Sequence, residues 1–317
     1  MHPPRRRRPA GPLIASWRAG RQAVFVVSAL LAIVLPLAAA RAQAPLRVAA
    51  TSTDLKALVE AVGGDRVEVD SLAAPDQDPH AIEVKPAQLA RLRGAALLVR
   101  VGLDNEPWLA RLKTEAAVVD VSTRVALLQA QTPRLRAERV AHVHAYGNPH
   151  YWLDPANAWP ITEAILEALV RLRPADQARF VTNRAAFLEA LERRMAEWAR
   201  MLQPFRGAKL VVIHDSWAYF AERYGLDIVA AAEPTPGVPP SPAELAALVQ
   251  RMRESGVRIV LADAHAHPSL VQALAARSGA RVVTMQPSVP AAGPARGDYI
   301  AFIDDNVRRL AEALAAR

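Results

Sequence analysis

From residue 46 onward the chain alternates short apolar runs with longer stretches in which apolar residues recur at helical spacing. Buried parallel strands read as continuous apolar runs and amphipathic helices as a period of three to four, so the alternation predicts parallel α/β layering. A first series places strands at 46–52, 66–74, 96–103 and 116–122, with helices at 54–62, 85–93 and 107–113. A polar stretch over 129–148 then leads to helical patterns at 156–172 and 174–202. In the second of these, Phe180, Phe187, Leu191, Met195, Trp198 and Leu202 share one face, and Pro174 suits the first turn. A helix of that length is roughly 40 Å long and can reach across two layers of structure. A second series repeats the alternation, with strands at 209–215, 227–233, 258–264 and 281–286. Its helices run through Tyr224, from Pro242, to Arg277 and over 298–316; Ser241-Pro242 with Glu244 is a well-signalled helix start. The fold class predicted is α/β, with two similar four-stranded parallel-sheet lobes, 43–173 and 204–317, joined by one long backbone helix at 174–203.

Charge changes the picture only at the N-terminus. The formal net charge of +8 suggests nucleic acid until the cations are located. Arg5, Arg6, Arg7, Arg8, Arg18, Arg21 and Arg41 lie in the first 42 residues with no acid among them, and without them 32 basic residues face 31 acidic ones. That balance removes nucleic acid as a partner. The same cations flank the apolar run 23–40, which is broken by Pro36 and followed by the cleavage-type triplet Ala40-Arg41-Ala42. Residues 1–42 therefore read as a secretory signal peptide and the remainder as an exported, soluble protein. The competing reading is an uncleaved anchor, since 18 apolar residues just span a bilayer.

Cysteine is absent, so disulfides, thiolate metal clusters and thiol nucleophiles are excluded, and any metal must be held by His, Asp, Glu or backbone. Seven histidines follow the leader: His80, His142, His144, His150, His214, His265 and His267. All fall in predicted loops or at strand ends, where α/β sheets gather their ligands. Three imidazoles and one carboxylate make a tetrahedral zinc site without cysteine.

Three segments carry a resemblance: Asp78-Pro79-His80 with Glu83 and Pro86; Asn148-Pro149-His150-Tyr151-Trp152-Leu153-Asp154-Pro155; and Val212-Ile213-His214-Asp215-Ser216-Trp217-Ala218-Tyr219-Phe220 with Tyr224-Gly225-Leu226. In order and spacing they resemble the cluster A-I solute-binding receptors of zinc and manganese ABC importers. The resemblance implies that His80, His150 and His214 bind metal. It also implies a non-enzymatic periplasmic receptor that captures Zn2+ in the cleft between lobes, works as a monomer and delivers the ion to an inner-membrane ABC permease. Asp154 is placed to orient His150 from behind, and Asp215 reads as a helix cap rather than a ligand.

The fourth ligand departs from the family, because Gln286 stands where many members carry aspartate. Asp263, ending the neighbouring strand, is favoured if the strand order is 2-1-3-4, since its strand and that of His214 then flank the switch point. Glu233, Glu83 and water are the alternatives. The pairs His142/His144 and His265/His267 read either as loose metal binders or as exposed loop residues. Nitrogen-rich donors favour Zn2+ over Mn2+. A secreted zinc-dependent hydrolase is the alternative function, weakened by the absence of an H-E-x-x-H helix.

Overall fold

The structure is a computed structural model that describes Met1 and residues 44–74, 77, 80, 82–83, 85–129, 147–233 and 237–316. Apart from Met1, the leader at 1–42 lies outside these residues, as do His142, His144, Asp78 and Pro79. Pro45–Arg317 forms one compact unit.

The first sheet comprises β1 (Leu46–Ala50), β2 (Val67–Ser71), β3 (Leu97–Arg100) and β4 (Ala117–Asp120), and the second comprises β5 (Lys209–Val212), β6 (Asp227–Ala231), β7 (Ile259–Asp263) and β8 (Arg281–Met285). The orders are β2-β1-β3-β4 and β6-β5-β7-β8, all neighbours parallel. This is the 2-1-3-4 order anticipated, twice over. The central strands are apolar because helices cover both faces: Leu97, Leu98 and Val99 are buried in one lobe, and Leu210, Val211 and Val212 in the other.

The first lobe carries α1 (Thr53–Gly63) and α2 (Pro86–Arg93), followed by α3 (Ala158–Leu172). Ser52 caps α1 by accepting from the Leu55 amide at 3.2 Å. The long helix α4 (Gln177–Leu202, 26 residues) is about 39 Å long and is entered through a 3₁₀ turn at Pro174–Asp176, where proline tolerates the missing donor. The second lobe carries α5 (Ala218–Tyr224), α6 (Pro242–Ser255), α7 (Pro268–Ser278) and α8 (Tyr299–Ala315). Ser241 and Glu244 close the anticipated capping box on α6. The helix expected at 107–113 is instead a 3₁₀ turn, Pro107–Arg111, ended where Leu112 turns extended toward β4.

Helix α4 packs on α1 and α3 of the first lobe and on α8 of the second. Its buried Phe180, Leu191, Trp198 and Leu202 join one apolar core that contains Val48 and Val99 from the first sheet and Val212 and Leu261 from the second. The Trp198 indole donates to Asp304 at 2.8 Å, and Arg194 pairs with the same carboxylate. Away from α4, Asp54 in α1 accepts a hydrogen bond from the Val289 amide beyond β8 at 2.9 Å. No helix among the described residues is long and apolar enough to cross a membrane.

Candidate metal centre

His80 follows β2, His150 opens a 3₁₀ turn at Tyr151–Leu153, and His214 lies just past the end of β5. Among the described residues, one group can hold a metal ion: these three histidines, whose donor atoms all lie within 4.8 Å of one another. The Nε2 atoms of His80 and His150 are 3.4 Å apart. Two nitrogens about 2.05 Å from a tetrahedral zinc are about 3.3 Å apart, so this spacing fits one shared ion. His150 and His214 are buried, at 3% and 9% exposure, so the site is walled from bulk water on their side. The Trp152 ring, 5.3 Å from that of His150, forms part of the wall.

Partners behind the rings fix which nitrogen faces the centre. His150 Nδ1 is 2.9 Å from Asn148 Oδ1, an acceptor, so Nδ1 carries the proton and Nε2 keeps the lone pair. Asn148 in turn donates through Nδ2 to the Asp215 carbonyl at 2.8 Å. His214 Nδ1 is 3.3 Å from Glu233 Oε2, which gives it the same tautomer.

These partners differ from those anticipated. Asp154 accepts instead from Arg223, at 2.7 Å on each oxygen. Asp215 is not the cap of α5, whose cap position falls at Trp217. Asp263 ends β7 beside the histidines but outside their group. It accepts from Ser216 Oγ at 3.1 Å and Trp217 Nε1 at 2.7 Å. Burial raises its carboxyl above the usual range, opposed by the nearby His214 and His265 and by its two donors. Glu83 is exposed, and Gln286 is held through its backbone by Asn306. His267 caps α7, its Nδ1 accepting from the Ser269 amide at 3.4 Å, while His265 is exposed.

A profile of the family described as "Zinc-uptake complex component A periplasmic" matches residues 48–313. The chain belongs to this family of zinc-uptake components. Among its relatives is the high-affinity zinc uptake system protein ZnuA of Paracoccus denitrificans, 30% identical over 324 aligned positions that cover 91% of this chain and 98% of the relative. ZnuA of Yersinia pestis is 28% identical, covering 76% of this chain and 84% of its own. A crystal structure of ZnuA superposes with a TM-score of 0.74 at 29% identity, covering 86% of this chain and all of the other. Membership agrees with the resemblance carried by the three histidine segments, and with the two-lobe α/β fold.

Proposed function

We propose that this protein is the zinc receptor of an ABC importer, holding Zn2+ through Nε2 of His80, His150 and His214 and passing it to an inner-membrane permease. The observation that carries the reading is the convergence of three imidazole donors within 4.8 Å, two of them at the spacing of a shared tetrahedral ion. Zinc accepts such a nitrogen-rich set, whereas manganese prefers more oxygens and a higher coordination number. All three ligands come from one chain, which supports a monomeric receptor. The family's periplasmic description supports export, with residues 1–42 as the cleaved leader.

For the fourth position we favour water over Asp263. Asp263 is not among the side chains whose donor atoms converge, and its two oxygens accept hydrogen bonds from Ser216 and Trp217. The protein's work is binding rather than bond-making, so no substrate turnover accompanies zinc. Titration against a competing zinc chelator tests the reading: His80→Ala, His150→Ala and His214→Ala should each weaken binding at least about tenfold. Wild-type affinity in any one of them would remove that residue from the site. A metal-bound structure with six ligands and two or more carboxylates would overturn the zinc assignment.

A further inference from the structure

His80 is carried by the first lobe and His214 by the second. His150 stands on the chain between them, immediately before α3, which packs on α1 in the first lobe. Its turn is nevertheless bonded to the second lobe along its length. Asn148 Nδ2 donates to the Asp215 carbonyl at 2.8 Å, and the Tyr219 hydroxyl donates to the Asn148 carbonyl at 2.9 Å. The Trp152 indole donates to the Pro287 carbonyl at 2.8 Å, and the Tyr299 hydroxyl donates to the Trp152 carbonyl at 2.5 Å. Arg223 closes the series with its two-pronged pair to Asp154, 2.7 Å on each oxygen. Toward the first lobe, Tyr151 donates to the Val101 carbonyl at 2.6 Å, and Asn148 donates to the Leu128 carbonyl at 3.0 Å and to Gln129 Oε1 at 3.1 Å. That segment is itself tied to the second lobe, where the Leu128 amide donates to the Tyr219 hydroxyl at 2.9 Å.

Asn148 sits at the centre of this arrangement. Its side-chain oxygen faces His150 Nδ1, and its side-chain nitrogen donates to the carbonyl of Asp215, the residue after His214. The direction of the His150 ring is therefore referenced to the backbone of Asp215, and α5 holds that reference from both ends of the turn through Tyr219 and Arg223. A planar guanidinium against a carboxylate fixes orientation as well as distance, which a single hydrogen bond does not.

We propose that the metal centre is built as two plus one: His150 and His214 form a standing pair fixed to the second lobe, with Tyr219 and Arg223 as positioning residues, and His80 completes the pair from the first lobe. This deepens the zinc reading above and rests on it. A pre-oriented pair of imidazoles retains useful affinity alone, because the cost of aligning the rings has been met in folding. The third ligand then makes affinity depend on where the first lobe stands, without rearranging the other two.

The test is a set of zinc affinities, measured with a competing chelator on the mature protein and its variants, with thermal unfolding of the metal-free forms as the control for folding. His80→Ala should keep one zinc per chain at reduced affinity, losing about tenfold less than His150→Ala or His214→Ala. Arg223→Ala should weaken zinc by about tenfold in the wild-type and His80→Ala backgrounds, and add nothing once His150 is Ala, because it acts through that ring. Tyr219→Phe, which removes one hydroxyl, should show the same dependence on background at smaller size, and decides the matter if Arg223→Ala does not fold. Equal losses for all three histidines, or an Arg223→Ala effect undiminished without His150, would overturn the two-plus-one construction. Wild-type affinity in all three histidine variants would bring down the site itself, and the pair with it.

Discussion

The two lobes repeat one topology and put it to different uses. In each sheet the strand second in order, β1 or β5, ends at the place where a ligand is expected. Past β5 that place holds His214, buried and braced by Glu233. Past β1 it holds Thr51 and Ser52, which are bound into structure instead: Ser52 caps α1, and Thr51 donates to Glu106 Oε1 at 2.5 Å. Glu106 also accepts from the amides of Val101 and Gly102, at 2.7 and 3.0 Å. The first lobe supplies its histidine from beyond β2, on the connection to α2, where His80 remains half-buried. The same strand order thus places a histidine of the converging group on a strand end in one lobe and on a connecting segment in the other. Topology names the place; the side chains there decide whether it serves the metal or the scaffold.

The largest expected effect concerns the metal side of this contrast. Zinc needs neutral imidazole, and an unperturbed histidine titrates near pH 6.5. With three rings each open to competition from protons, apparent affinity should fall by orders of magnitude between about pH 7.5 and 5.5. Chelator competition across that range would detect it, and a flat profile would argue against three histidines.

On the scaffold side, Glu106→Ala should destabilise the protein by about 3 kcal/mol, because it strands the Gly102 amide and the Thr51 hydroxyl and leaves the Val101 amide only its longer bond to Thr51 Oγ1. Urea unfolding measures that loss. Zinc affinity at saturating folded protein should stay within a few-fold of wild type, and a loss comparable to that of His214→Ala would erase the distinction between the two strand ends.

A smaller effect is expected at the bond joining the lobes. Burial pushes the Asp54 carboxyl up to about 6, against the hydrogen bond from Val289 that lowers it. A carboxyl raised in the folded state binds more protons folded than unfolded, so its contribution is fully present below pH 3.8 and lost as pH rises through about 6. The loss should be on the order of 2 kcal/mol and absent in Asp54→Asn, which unfolding curves from pH 4 to 8 would resolve. Smallest of all, His267→Ala removes a helix cap and should cost about 1 kcal/mol, leaving zinc stoichiometry at one. A lost equivalent of zinc would restore the His265/His267 pair as a metal binder.

The strands were legible because buried parallel strands are apolar runs bounded by polar turns, and runs such as Leu210 to Ile213 have no other simple reading. The three histidines were legible through their motifs. What escaped was chiefly the pairing of side chains distant in sequence, and one local contact with it. Asp154 was read as the brace of His150 because it stands close in the chain, yet the 3₁₀ turn carries it away to Arg223. Asn148 was quoted as part of a motif and given no task, although it faces the ring directly. Glu233 was weighed as a ligand, and in the structure it lies 3.3 Å from His214 Nδ1. The expected helix at 107–113 failed for a local reason: after Pro107 a single turn suffices before Leu112 must extend into the approach to β4.

Helix α4 does more than link the lobes, because its buried face belongs to a core containing side chains from both sheets. Melting either lobe would expose apolar surface of the other, so the two should lose order together, and a calorimeter should record one transition for the mature chain. To a protease, such a molecule offers no seam at its middle. A nick in a connecting loop would leave the halves held together along the helix.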